Sequence, residues 1–410
     1  MKVYLDYAAT GPIKPQVKKA IESFFDEDFG NPSSIHSWGR VARYAVDSSR
    51  EKIAKFLEGT LKKGKTEISG RVIFTSGGTE ADNLAILGSL KGVKSDQKPH
   101  IITSQLEHHA IINTCKQLEK INEAEVTYIK PNNEGIIEVF EIEKAIKPNT
   151  VLISVMYINN EIGTIQPIRE IGKMVEAVNE KRIKDCLKKI YFHTDAVQAT
   201  EYLEMDVEYL HVDLLTISGH KIGAPKGIGA LYIKKGVVVK NNVFGGEQEF
   251  GLRPGTENVI GIVALGKAVE ILQEKSDEVN KKVIELRDYF INRVIDEIPE
   301  VVLNGSKELR SPNNANFYFK YIEGESILLN LDLAGIAASS GSACASHALE
   351  PSHVLMAVYD NAERAHGSIR FTLSEETTKD QIDYTIEKIK DIVQRLRNLS
   401  PLAPKSLKTI

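Results

Sequence analysis

Seven short runs rich in β-branched and other apolar residues, at 71–75, 100–104, 126–129, 151–155, 190–194, 212–218 and 229–233, alternate with helical patterns such as 80–90, 110–121 and 168–178. Strands that lie parallel need a crossover between them, and a helix is the usual one. The alternation therefore predicts an α/β fold: a seven-stranded, mainly parallel sheet with helices on both faces. Ligands of such a sheet collect beyond the C-terminal ends of its strands. After residue 259 the texture changes to a long helical pattern, 261–298, short strands near 315–319 and 368–373, and a closing helix over 378–399. This reads as a smaller α+β domain. The expected division is a large domain over 13–260, a small domain made of 1–12 and 261–403, and a loose tail over 404–410. The polar stretch 60–70 reads as a surface insertion.

The 410 residues suffice for a large core, and a net charge of −4, with no basic block beyond Lys62, Lys63 and Lys65, argues against nucleic acid as a partner. No apolar stretch is long enough to span a bilayer, and the N-terminus shows no charged-then-apolar leader, so a cytoplasmic location is expected. Three cysteines, Cys115, Cys186 and Cys344, lack CxxC spacing. Neither a disulfide framework nor a zinc site follows from them. His108-His109 and Cys344-Ala345-Ser346-His347 each lack further ligands, so no metal is expected.

The chemistry gathers at predicted strand ends. Lys221, in Ser218-Gly219-His220-Lys221, closes an apolar run and enters a glycine-rich turn, a setting in which a partly desolvated amine can form a Schiff base. Ser76-Gly77-Gly78-Thr79 follows another strand and opens a helix, a natural anion cradle. Ser218 and His220 add donors. Asp195 ends the run 190–194 and could keep a pyridine nitrogen protonated, Gln198 could reach a ring hydroxyl, and His108 could stack on a ring and move protons. Each has a plainer reading: surface lysine, ordinary turn, helix caps at Asp195 and His108, exposed glutamine. Taken together, an amine, a phosphate cradle and a carboxylate suggest pyridoxal 5'-phosphate.

These motifs, with Tyr4-Leu5-Asp6-Tyr7-Ala8-Ala9-Thr10, Gly30-Asn31-Pro32-Ser33-Ser34, Asn159-Asn160-Glu161, Gly255-Thr256-Glu257-Asn258 and Ser339-Ser340-Gly341-Ser342-Ala343-Cys344, resemble a cysteine desulfurase of the NifS/IscS type, a class V aminotransferase relative. The resemblance runs from Tyr4 to about Leu402. It implies a fold-type I, homodimeric, pyridoxal phosphate-dependent enzyme that converts L-cysteine to L-alanine. A persulfide left on Cys344 would pass to an iron–sulfur scaffold protein, a tRNA-thiolation enzyme or another acceptor. Carried over residue by residue, Lys221 binds the cofactor covalently, Asp195 pairs with the ring nitrogen, Gln198 contacts the ring hydroxyl and His108 stacks on the ring. Gly78, Thr79, Ser218 and His220 hold the phosphate, joined by Thr256 across the dimer. Arg370 clamps the substrate carboxylate, assisted by Asn31 and Asn160. The small residues around Cys344 suit a moving thiol. Gly11, where threonine is commoner, and a tail without a docking motif depart from the pattern, and the tail leaves the sulfur acceptor open. The alternatives are another fold-type I enzyme, such as a selenocysteine lyase or aminotransferase, and a non-catalytic scaffold or sulfur-relay subunit.

Overall fold

The computed structural model describes residues 1–59, 68–92, 97–274, 277–340 and 350–408. The chain opens with the short strand β1 (Val3–Tyr4). The central sheet follows: β2 (Arg71–Thr75), β3 (His100–Ser104), β4 (Glu125–Ile129), β5 (Thr150–Ser154), β6 (Tyr191–Asp195), β7 (Leu214–Ser218) and β8 (Gly229–Ile233). Its order is β2-β8-β7-β6-β5-β3-β4. All neighbours are parallel except β8, which runs antiparallel to both β2 and β7. The cause is local, since the connection 219–228 is too short for a helical crossover and β8 must turn back on β7.

β3, β5, β7 and β8 are buried along their whole length, as a sheet covered on both faces requires. Successive residues point to opposite cores. Phe74, Ile102, Ile153 and Leu215 pack on one face, while their neighbours Ile73, Ile101, Leu152 and Leu214 pack on the other.

A second sheet holds β9 (Val301–Leu303), β10 (Asn314–Phe319) and β12 (Ser368–Thr372), antiparallel in the order β12-β10-β9, while β11 (Ile336–Ala337) pairs in parallel with β1. Its core centres on Phe290, Phe317 and Phe371, with Phe290 edge-on to the other two at 5.5 and 5.3 Å, and it takes in Val3 and Leu5 from the chain's start. The long pattern 261–298 forms two helices, Val259–Glu274 and Asp277–Glu297. The first packs Ile262, Leu265 and Val269 into the large core, and the second packs Phe290 and Val294 into the small one. No glycine or proline marks that change of partner, which is why periodicity alone reads it as one run. The closing helix Lys379–Leu399 starts from a capping box made by Thr378 and Gln381. Residues 404–408, expected to be loose, are tied back by Gln394 Nε2 donating to Leu407 O at 2.8 Å and Lys408 Nζ to Ser400 O at 2.8 Å.

Candidate active site

Beyond the C-terminal ends of β2, β3, β5, β6 and β7 lies a cavity of about 330 Å³. Gly78, Thr79, His108, Asn160, Asp195, Gln198, Ser218, His220, Lys221 and Arg370 all line it. The fold thus brings most of the expected site residues to one place.

At the end of β2 the chain turns directly into the 15-residue helix Gly78–Gly92. A Cβ on Gly78 would sit 3.0 Å from Val197 Cγ2, and one on Gly229 would strike Gly77 backbone at 2.6 Å. Only glycine permits that approach, which leaves the helix N-terminus open to an anion. Ser218 and His220 face the same end. His220 Nδ1 lies 3.2 Å from Thr10 Oγ1, and burial, then the Lys221 and Lys226 charges, lower its pKa to about 4.

Lys221 occupies a short 3-10 turn after β7. Its Nζ donates to the backbone oxygens of Ala8 and Ala9 at 2.5 and 2.7 Å. The amine is therefore held by the first residues of the chain, and Gln198 Nε2 also donates to Ala8 O at 3.0 Å. No residue type marks these carbonyls in advance, because any residue supplies one.

Asp195 ends β6 in the sheet, buried, with Oδ1 accepting from Val197 N at 2.9 Å. Burial raises its pKa and the Lys221 charge opposes the rise. Asp82 also lines the cavity. Burial, then the Asp195 charge, push it well above the carboxylate range, with a Thr216 hydrogen bond opposing. Two close, buried acids do not both ionise readily, so the deeper Asp82 keeps its proton and Asp195 carries the charge. Beneath them His193 bonds Ser154 Oγ at 2.9 Å and Thr216 Oγ1 at 3.1 Å, and burial lowers its pKa to about 3.

His108 lines the cavity and caps the helix His109–Lys120, where its Nδ1 accepts from Ala110 N at 3.1 Å. In the neutral ring the hydrogen is then on Nε2. Burial, then His109 and Lys221, lower its pKa to about 4, so the ring is neutral at physiological pH. Glu107 beside it is fully buried, accepting from Ser104 Oγ at 2.5 Å and Met156 N at 3.0 Å, and burial pushes its pKa up to about 8.

Across the cavity Arg370, only 3% exposed, donates through Nη1 to Asn160 O at 2.7 Å and through Nη2 to Asp6 Oδ1 at 2.8 Å. Its Nε is buried without a partner among the described residues. An unpaired buried donor of this kind marks a place for an acceptor.

Asn31 and Thr256 do not line this cavity. Both are exposed, and Asn31 Oδ1 accepts from Ser33 N at 2.9 Å. Cys344 lies outside the described residues. The chain on either side of it is anchored beside the site: Ser339 and Arg370 exchange backbone hydrogen bonds at 3.1 and 2.6 Å, and His353 Nε2 donates to Glu107 O at 3.0 Å. Cys115 is buried, with a thiol pushed up to about 12 by burial, and Cys186 is exposed.

Pyridoxal 5'-phosphate fits these donors: glycine-framed helix N-terminus for the phosphate, amine for the aldehyde, carboxylate for the ring nitrogen. The model of the family described as aminotransferase class-V matches residues 3–385. The chain is 48% identical over 400 residues to the cysteine desulfurase IscS of Dictyoglomus turgidum, covering 98% of this chain and 96% of that one. It is 46% identical over 408 residues to the IscS of Methanosarcina thermophila, covering 100% and 96%. Among solved structures, a NifS-like protein superposes with a TM-score of 0.86 at 32% identity over 97% of this chain and 100% of that chain. A structure described as SspA in complex with cysteine gives 0.76 at 34% over 92% and 100%. With its glycine-framed cradle, buried acid and strand-end lysine in one cavity, the chain belongs to the class-V aminotransferase family, among its cysteine desulfurases.

Proposed function

We propose that the protein is a pyridoxal phosphate-dependent cysteine desulfurase that converts L-cysteine to L-alanine and leaves a persulfide on Cys344. The observation that carries this reading is the convergence of Lys221, Asp195 and His108 on a cavity whose other end holds the unpaired Nε of Arg370. Bound there, pyridoxal phosphate supplies a protonated ring that takes up electrons released at the substrate Cα. Gly78, Thr79, Ser218 and His220 hold its phosphate, Asp195 keeps its ring nitrogen protonated, and Lys221 anchors it covalently. Arg370, with Asn160, binds the substrate carboxylate. Lys221, once displaced, takes the Cα proton, and the Ala8 and Ala9 carbonyls are placed to receive the resulting ammonium. The Cys344 thiolate attacks the substrate sulfur, so that an S–S bond forms as the Cβ–S bond breaks and the carbon fragment is protonated to alanine. His108, neutral and hydrogen-bearing on Nε2, is placed to move that proton.

The reading includes a homodimer. Large apolar side chains, among them Phe29, Ile35, Trp38, Phe244 and Phe250, are exposed on two segments joined by the Arg43–Glu257 ion pair at 3.4 Å, next to Asn31 and Thr256. A second copy would cover them and bring Thr256 to the partner's phosphate. The reading also keeps a sulfur acceptor of the iron–sulfur scaffold or tRNA-thiolation kind and the cytoplasmic location expected from the sequence. No described helix is long and apolar enough to cross a membrane.

The test is Cys344→Ser. A serine hydroxyl is neither ionised near neutral pH nor a soft nucleophile toward sulfur. The variant should bind cofactor and L-cysteine yet form neither persulfide nor alanine, whereas wild-type protein should gain one sulfur on the peptide containing Cys344. Wild-type alanine formation by the variant would point to an acceptor-independent lyase instead.

A further inference from the structure

Arg370 carries five N–H donors in a planar fork, and the described protein groups engage two of its nitrogens. Nη1 donates to Asn160 O and Nη2 to one oxygen of Asp6, while Nε has no partner among the described residues. Asp6 therefore meets the fork at a single nitrogen and leaves the Nε donor to a ligand. The backbone fixes it there. Thr372 N donates to Leu5 O at 2.8 Å, Ala8 N to Thr372 Oγ1 at 2.9 Å, and Asp6 bridges Thr372 in parallel. Arg370 and Thr372 share one face of β12, so the strand that carries the arginine also fixes its counter-charge. The Asp6 side chain is 19% exposed and that of Arg370 is 4%, so the pair is weakly screened.

We propose that Asp6 is a specificity-determining residue of the carboxylate pocket: it balances the Arg370 charge and restricts the fork to one incoming carboxylate. The proposal rests on the reading of Arg370 as the substrate-carboxylate donor. Without Asp6 the Arg370 charge would be balanced at most in part, since Glu161 acts on it but burial raises that acid's pKa, and it would attract any anion, amino acids with two carboxylates included. With Asp6 in place the pocket is neutral before substrate enters and carries one negative charge afterwards. A second carboxylate on the substrate side chain then meets that charge within a few ångströms. The same balance weakens the hold on the product carboxylate, which favours release of alanine.

The experiment titrates holoenzyme with L-alanine, L-aspartate and L-glutamate, following the cofactor absorbance as an equilibrium readout independent of turnover. Asp6→Asn keeps an acceptor oxygen for Nη2 and removes the charge. L-Alanine should then bind about tenfold tighter or better, the size of a like charge removed at short range behind partial screening. The two dicarboxylates should gain more than alanine does. Asp6→Glu should restore discrimination, and Asp6→Ala, which also releases the fork, should lose the gain in alanine affinity. If Asp6→Asn fails to retain cofactor, Asp6→Gln set against Asp6→Glu compares neutral and charged side chains of equal length. Unchanged or weaker alanine binding in cofactor-loaded Asp6→Asn or Asp6→Gln, with no change in the dicarboxylate ratio, would overturn the proposal. Arg370→Lys separates the two levels of argument: wild-type alanine affinity there would instead remove Arg370 from the carboxylate site.

Discussion

Replacing Glu107 by glutamine should stabilise the protein increasingly as pH rises from about 5 to 8. Glu107 is completely buried, and its Oε1 is satisfied by Ser104 Oγ and Met156 N. Its Oε2 is buried without a partner among the described residues. Burial, with the Asp195 charge adding to it against the two hydrogen bonds, lifts its pKa from 4.5 to about 8. Below pH 4.5 both folded and unfolded chains hold the proton. Between 4.5 and 8 the unfolded chain releases it while the folded chain keeps it, so the unfolded state binds fewer protons and stability falls with pH. Linkage over that interval gives a penalty of about 1 kcal/mol at pH 5, about 3 at pH 7 and about 4 at pH 8, levelling off above. Glutamine keeps the acceptor oxygen for Ser104 and Met156 and has no proton to lose. For 410 residues the unfolding entropy is about 0.9 kcal/mol per degree, so the variant's advantage in Tm should widen by roughly 4 °C between pH 5 and 8. Differential scanning of both proteins across that range, at matched cofactor loading, checks it. Parallel Tm curves would refute the argument and mean that Glu107 ionises in the fold without cost.

Two further outcomes follow from the cavity. Lys221→Ala should lose the covalent cofactor, so that borohydride treatment and peptide mapping recover no label; label on any other lysine would reassign the anchor. Asp195→Asn should retain the fold but lower kcat by about 100-fold or more, because a neutral amide no longer holds the ring nitrogen's proton; a wild-type rate would show that the carboxylate serves only as a turn cap for Val197.

The central sheet was legible in the sequence because its strands are short, apolar and, apart from the edge strand β4, largely buried on both faces, so that each stands out against the polar ends of its neighbours. Strand direction was less so. The run 229–233 reads like any other, and only the shortness of 219–228 forces β8 to return antiparallel. Lys221, Asp195, His108 and the glycine loop were legible for a related reason: each is a polar residue placed directly after an apolar strand, where a parallel sheet puts its ligands. Asn31 and Thr256 carry no such positional signal, and within one chain they face solvent rather than the cavity.

What the sequence withheld is what comes from distant parts of the chain. Asp6 sits in one of the family's motifs and Asp82 in the helix that follows the glycine turn, yet nothing near them in sequence shows that one pairs with Arg370 and the other feels the Asp195 charge. Their chemistry follows from the enclosure. Burial, then the Asp195 charge, raises the pKa of Asp82, and the role proposed for Asp6 depends on Arg370 being almost sealed from water. The same enclosure sets His108 apart from an ordinary helix cap: the bond from Ala110 N that caps the helix also fixes the ring's hydrogen on Nε2. The capping role and the proposed catalytic one thus call on opposite nitrogens of one side chain, so that finding the cap leaves the catalytic reading intact.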